Sequence, residues 1–330
     1  MKIGVLQFFS WPERRVELSQ VYARALQRIE IMDRTGYDAV WLAEHHFSSF
    51  SVCPSVHMMG VLAAARTTRL RIGTGVSLAP FYHPLRLAEE VALLDQVSGG
   101  RVNWGAGRGF ARVEFENFGV PPDESTSRFR EAVEIVLRAW TEERLSFAGT
   151  HFNFHDVEIL PKPLQQPHPP VWMAATSEPA LDWAAGRGFS ILMDPHASAR
   201  DIGRKRQYYF EKLKGAGHAT EGRELPIARL VALGDTAAEG RETARAGAQW
   251  IVDSYFGAQH NPVGIADPNA PGVDRVQRYL DEVILHGTVD SVLDQIAKLR
   301  EEIGLDYLLA APLSHKTFGL LTEKILPRLP

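Results

Sequence analysis

The 330-residue chain has a single cysteine, Cys53. No intrachain disulfide is possible and no cysteine-based metal cluster can form, so a reducing compartment fits. Long apolar runs are missing too. No stretch approaches the ~18 uninterrupted apolar residues of a membrane span. The first nine residues carry one charge, Lys2, and lack a signal peptide's basic region and small-residue cleavage site. A cytoplasmic protein is therefore expected. There is also no basic excess: 36 Lys and Arg stand against 40 Asp and Glu, for a net charge of -4 and a pI near 6.3. That argues against non-specific nucleic-acid or anionic-membrane partners, and leaves room for a local basic site that takes a phosphate.

Metal-site spacings are absent as well. The chain has 12 histidines but no His-x-His pair on a strand and no His-Glu-x-x-His helix. The adjacent pair His45-His46 would project to opposite sides of an extended chain. No catalytic metal is expected, although a composite site built from scattered histidines stays open.

Hydrophobic residues make up 45% of the chain and charged residues 23%, ordinary globular values. Strand and helix signals alternate almost from end to end. Strands are expected at 2–9, 37–43, 70–78, 101–105, 171–175, 189–193, 226–233 and 305–310. Helices are expected at 18–35, 54–67, 84–98, 128–143, 179–186, 199–214, 237–255, 275–285, 289–303 and 318–326. A small hairpin near 145–154 and a proline-rich connector at 161–170 interrupt the alternation. Residues 257–273, rich in Pro, Asn and Gly, read as a mobile insertion or lid, or else as a plain connector. Eight strand–helix pairs without a composition shift point to an α/β fold, a (β/α)8 TIM barrel with insertions, spanning residues 1–330 as one domain. The alternative is an open doubly wound sheet.

Chemistry concentrates where the second strand ends, at Glu44-His45-His46-Phe47. In a barrel of parallel strands, that end carries the catalytic residues. The bland alternative is a pair of hydrogen-bonded structural histidines. A second candidate is Gly105-Ala106-Gly107-Arg108-Gly109-Phe110 after the fourth strand. A glycine-rich turn lets backbone N–H groups approach an anion, and an arginine adds bidentate charged donors. It is not a dinucleotide fingerprint, because Phe110 stands where the third glycine belongs. Ala175-Thr176-Ser177 follows the fifth strand, where Ser177 could cap the next helix and the helix N-terminus could bind phosphate.

These motifs together resemble the bacterial luciferase-like flavin monooxygenases. The resemblance runs through Glu44-His45-His46-Phe47, Gly73-Thr74-Gly75-Val76 with Pro80 and His83-Pro84, and Leu93-Leu94-Asp95-Gln96 before Gly99-Gly100-Arg101. It continues through Gly107-Arg108-Gly109 with Phe115 and Phe118-Gly119, then Ala175-Thr176-Ser177 before Trp183-Ala184-Ala185. It covers most of residues 1–193, and is looser beyond them, at Asp253-Ser254-Tyr255 and Gly287-Thr288.

The resemblance implies a luciferase-like barrel, a homodimer, and reduced FMN held at the barrel mouth and supplied by a separate flavin reductase. It further implies reaction with O2 through a flavin hydroperoxide that oxygenates an aldehyde, ketone or similar organic molecule. His45 would lie beside the flavin ring and handle protons, with Glu44 orienting an imidazole or capping a backbone group. Gly75 and Val76 would form a non-proline cis peptide beneath the flavin; the alternative is a simple bulge. Arg108 and Ala175-Thr176-Ser177 would hold the flavin phosphate. Gly107 stands where some luciferases carry a reactive cysteine, and Ala180 where some relatives place a hydroxyl. Phe9, Trp11, Phe47, Phe110 and Trp172 are expected either to line a substrate cavity or to fill the core. Two other functions stay in view: deazaflavin-dependent hydride transfer on the same fold, and a non-catalytic flavin-binding or partner subunit.

Overall fold

Short apolar runs alternate with amphipathic helices, and this pattern sets the architecture. The structure, a computed structural model, describes residues 1–255 and 274–329. The expected insertion at 257–273 lies outside the described residues. The first half runs β1 (Lys2–Gln7), α1 (Leu18–Thr35), β2 (Ala39–Leu42), α2 (Val56–Arg66), β3 (Arg71–Thr74), β4 (Ser77–Leu78), α3 (Pro84–Ser98), β5 (Val102–Gly107), α4 (Arg112–Phe118) and α5 (Ser125–Thr141). A hairpin of β6 (Leu145–Ala148) and β7 (Asn153–Val157) precedes β8 (Val171–Ala174), α6 (Glu178–Gly186), β9 (Ser190–Leu192), α7 (Ala199–Gly215) and β10 (Pro226–Leu233). The remainder is α8 (Ala237–Tyr255), α9 (Arg275–Arg278), β11 (Leu285–Gly287), α10 (Val289–Ile303), β12 (Tyr307–Pro312) and α11 (His315–Leu320).

The eight expected strands all form, and they make one parallel sheet. Its order is β11-β10-β12-β1-β2-β3-β5-β8-β9, with β4 alongside β5. The sheet curls, and just beyond β9 a single parallel bridge joins Met193 to Ile227 of β10. Registers such as Val5 with Val40, Trp41 with Gly73, and Ala106 with Met173 align the C-terminal strand ends along one rim.

Apolar side chains on the helix-facing side, among them Val5, Val40, Ile72 and Leu308, pack against the helices in a large core cluster. A second cluster gathers Leu6, Trp41, Trp172, Leu230 and Leu309. Trp41 meets Trp172 edge to face at 5.3 Å. That packing requires glycine at position 73, where a Cβ would sit 2.3 Å from the Trp41 ring.

The boundaries differ from expectation in three places. The third strand is not continuous: it breaks into β3 and β4 at a cis peptide between Gly75 and Val76. The glycine-bearing loop after β5 contains α4, a short helix whose alternation of Arg, Glu and Phe is hidden beside so many glycines. The helix expected at 275–285 is only α9 followed by one π-helical turn, Tyr279–Val283, and it gives way to the short strand β11. Leu285 there pairs with Val231 of β10, a long-range contact that local periodicity does not encode.

Candidate active site

The rim at the C-terminal strand ends collects the candidate residues. β2 delivers Glu44, His45 and His46 at the point where its ladder stops. The two imidazoles part company, as strand geometry requires. The His45 ring enters an aromatic enclosure: Phe8 lies nearly parallel to it at 6.4 Å, while Phe50 and Phe110 present edges at 5.1 and 5.8 Å. The His46 ring turns instead to Phe118, edge-on at 4.7 Å.

Two buried carboxylates hold this run. Glu44 is 2% exposed. Its Oε1 lies 3.2 Å from His46 Nε2, and its Oε2 accepts from the Tyr82 hydroxyl at 2.9 Å. The imidazole that Glu44 contacts is that of His46. Burial, then the Glu44 charge, raises the Tyr82 phenol far above its ordinary value. The same two causes push the Cys53 thiol up to about 12.

The second carboxylate, Glu114 of α4, is absent from the sequence-based expectations. It is 1% exposed. Its Oε1 accepts from the His46 backbone N–H at 3.0 Å and lies 3.5 Å from His45 Nδ1. The only sequence signal for it was its place between Arg108 and the Phe115–Phe118 pair. His196, past β9, was also missed. It is buried, its Nδ1 is 3.0 Å from the Tyr279 hydroxyl, and burial lowers its pKa, with Asp194, His45, Arg278 and Arg229 as charged neighbours.

The ends of β4, β5 and β8 bring the remaining candidates together. Ser77 pairs with Ala106 and Leu78 with Gly107, while Ala106 pairs with Met173. Arg108 directly follows β5 and Ala175 directly follows β8, with Thr176 and Ser177 next in the chain. Gly107 lies where no side chain fits: a Cβ would meet Val76 Cγ2 at 2.4 Å and the Ala174 methyl at 3.4 Å. Val76, Gly107 and Ala174 therefore pack closely as a small apolar floor, in which Val76 and its neighbour Gly75 are half-buried.

Arg108 is half-buried. Its Nη1 donates to Ser125 Oγ at 3.0 Å, its guanidinium carbon lies 5.9 Å from the Phe115 ring centre, and burial lowers its pKa. Ser177 occupies the N-cap position of α6, yet its side chain makes no capping bond. The expected cap therefore exists in backbone position only.

The aromatic expectations divide. Phe110 belongs to the His45 enclosure, in company with Phe8 and Phe50, which were not anticipated. Phe9 and Trp172 are core residues. Trp11 donates to the Val16 carbonyl at 2.7 Å, and Phe47 lies exposed against Phe118. Among the described residues, no three His, Cys, Asp or Glu side chains gather as a metal cluster would. No described helix is long and apolar enough to cross a membrane.

The donor set suits a flavin mononucleotide on the chemistry of its groups. A guanidinium and a hydroxyl unused by its own helix are groups that a phosphate monoester takes as donors; of the first turn of α6 only the Glu178 N–H could join them, because Pro179 has none and the Ala180 and Leu181 N–H groups donate to the Ser177 carbonyl. The small apolar surface of Val76, Gly107 and Ala174 suits the face of a flat ring.

The family model described as luciferase-like monooxygenase matches residues 1–307. The chain is 29% identical, over 242 residues, to the oxygenase component of the flavin-dependent trigonelline monooxygenase of Acinetobacter baylyi, covering 72% of this chain and 66% of that protein. Among solved structures, the monooxygenase RslO1 from Streptomyces bottropensis superimposes with a TM-score of 0.87 at 28% identity, covering 99% of both chains. The oxygenating constituent of 3,6-diketocamphane monooxygenase from Pseudomonas putida, in complex with FMN, has a TM-score of 0.81 at 19% identity, covering 100% of this chain and 99% of that one.

Proposed function

The chain belongs to the luciferase-like monooxygenase family, and we propose that it is the oxygenase component of a two-component system, using reduced FMN and O2 to oxygenate an organic small molecule such as an aldehyde or ketone. The carrying observation is the arrangement of the rim: an imidazole flanked by three aromatic rings shares it with a cationic, hydroxyl-bearing turn and a small apolar floor. The family match spans all of these residues. In this reading the curled sheet closes into a (β/α)8 barrel through the Met193–Ile227 bridge, and residues 1–330 form one domain.

Arg108, Ala175, Thr176 and Ser177 would hold the phosphate, while Gly75, Val76 and Gly107 would lie under the ring. Reduced FMN, when bound, supplies the electrons that activate O2. The protein's own share is positional and protonic. The Phe8, Phe50 and Phe110 rings keep bulk water from His45, and His45 moves a proton at the reacting oxygen. Such general acid–base help is typically worth about 100- to 10,000-fold. Glu44, through His46 and Tyr82, keeps the loop in register. The trigonelline monooxygenase relative is itself named as an oxygenase component, which supports a separate flavin reductase as partner.

A homodimer fits the outer surface of α2 and α3. Met58, Val61 and Leu62 share one face of α2, and Leu93 and Val97 one face of α3. All five are exposed, Met58 at 74%, and the two helices pack side by side. Exposed apolar side chains on two neighbouring helices are what an interface would cover.

The test is aerobic product analysis with enzymatically reduced FMN and a panel of aldehydes and ketones, with O2 uptake recorded. Oxygenated product with stoichiometric O2 consumption is expected. Turnover with a deazaflavin and no O2 uptake would replace this reading by hydride transfer. No turnover with either cofactor would favour a non-catalytic subunit.

A further inference from the structure

Glu44 is turned to His46: its two oxygens meet His46 Nε2 and the Tyr82 hydroxyl. The carboxylate beside His45 is a different one, Glu114. It comes from a different element, α4, and reaches the β2 loop with Oε1 lying 3.5 Å from His45 Nδ1 and 3.0 Å from the His46 backbone nitrogen. The first distance is a charge contact rather than a closed hydrogen bond. Catalytic contacts are commonly long before substrate binds and tighten afterwards.

Burial sharpens the assignment. Glu114 is 1% exposed, and its Oε2 is buried with no hydrogen-bond partner among the described residues. Among those residues its one ion-pair contact is His45. A carboxylate taken out of water is costly unless hydrogen-bond donors or a positive charge face it, and the ring nitrogen in position to donate to it is His45 Nδ1. Of the other ionisable groups nearby, Glu44 and His46 contact each other, and His196, which has Asp194, Arg229 and Arg278 as charged neighbours, is joined to Tyr279.

We propose that Glu114 is the positioning residue of His45: its Oε1 accepts the Nδ1 proton, which leaves Nε2 bare and aimed to take a proton, and its charge then balances the imidazolium. The proton taken at Nε2 is later returned from the same atom, the Nδ1 proton stays in place, and the carboxylate itself remains ionised. The catalytic consequence rests on the proposed role of His45; the tautomer assignment does not.

Because one oxygen contacts both the His46 N–H and His45 Nδ1, two substitutions separate the two roles. In Glu114→Gln the backbone N–H, which cannot reverse, keeps the amide oxygen in that place. The acceptor survives and the charge is lost. In Glu114→Ala both are lost.

The experiment reads the histidine ring nitrogens by 15N NMR in the full chain without flavin, with His45→Ala to assign the signal. Expected is a neutral His45 protonated at Nδ1 in the wild type and in Glu114→Gln, with the Nε2-protonated form appearing in Glu114→Ala. Turnover with reduced FMN at saturating substrate should fall about 10-fold in Glu114→Gln and about 100-fold in Glu114→Ala, with KM within about threefold. A wild-type His45 protonated at Nε2, or a tautomer unchanged in Glu114→Ala, overturns the assignment. Turnover in Glu114→Ala within threefold of wild type overturns its catalytic consequence. If the wild type shows no flavin-dependent turnover, the proposed function fails, and the NMR result alone decides Glu114.

Discussion

Thr74 and Gly105 are tied by two reciprocal hydrogen bonds. The threonine Oγ1 donates to the Gly105 carbonyl at 2.7 Å and accepts from the Gly105 N–H at 2.8 Å. The pair bridges the place where the ladder lapses. β3 pairs with β5 at Ile72 and Gly73, β4 resumes the pairing at Ser77, and the cis peptide of Gly75 and Val76 lies between. A side chain thus supplies the backbone partners that the broken strand cannot.

Thr74→Val keeps the shape and removes both bonds, leaving the buried Gly105 N–H and C=O short of partners. The unfolding free energy should fall by about 1–3 kcal/mol. Urea denaturation followed by tryptophan fluorescence measures it, and an unchanged midpoint would show that the bridge contributes nothing.

His45→Ala should lower turnover with reduced FMN and a productive substrate by about 100- to 10,000-fold. Flavin binding should survive, because the proposed phosphate ligands lie on other strands. Rapid-mixing kinetics with parallel equilibrium titration separates the two, and turnover within a few-fold of wild type would remove His45 from the chemistry.

Arg108→Ala should weaken the binding of reduced FMN by about 10- to 100-fold, the range for losing a charge-assisted hydrogen bond. Turnover at saturating flavin should change much less. Anaerobic titration by fluorescence gives the dissociation constant. Equal affinity in the variant would end the phosphate role, leaving Arg108 as the partner of Ser125.

Cys53 and Tyr37 make stability fall in alkali. Burial pushes each up to about 12 in the folded protein, from ordinary values of 9.0 and 10.0. As pH rises through 9 to 12, the unfolded chain releases these protons first and binds fewer than the native state, so unfolding becomes easier. The contribution is whole below pH 9 and lost progressively above it. Denaturation midpoints across that range should decline. A thiol reagent at pH 8 should label Cys53 only after unfolding.

Leu62→Glu combined with Leu93→Glu should convert a dimer to a monomer while leaving the fold intact, because both side chains are exposed. Sedimentation velocity reads the change. A wild-type protein that sediments as a monomer would refute the proposed interface.

Local pattern made much of this protein legible. Hydrophobic periodicity and glycine stops located the parallel sheet except β11 and the β3–β4 break, and most helices, because each such element buries a face that its own sequence must encode. The Glu44-His45-His46 run was legible as a strand terminus, and Arg108 as a residue in a glycine-rich turn. Glu114 was not, because its meaning depends on which loop α4 folds against, and a lone glutamate beside glycines resembles any solvated residue. Phe8 and Phe50 were equally silent, since enclosing a ring requires contacts across chain segments that no periodicity links.

By itself, then, the sequence determined the alternating strand–helix order, the absence of disulfides and the position of the two candidate turns at strand ends. These follow from residue types within a few positions of one another. Only the tertiary structure decided that Glu44 holds His46 while Glu114 faces His45, that β3 breaks beside Thr74, and that Gly107 lies too close to Val76 for any side chain. Apart from the Glu44–His46 contact, each of these depends on residues far apart in the chain, brought together by strand register and helix packing rather than by local preference.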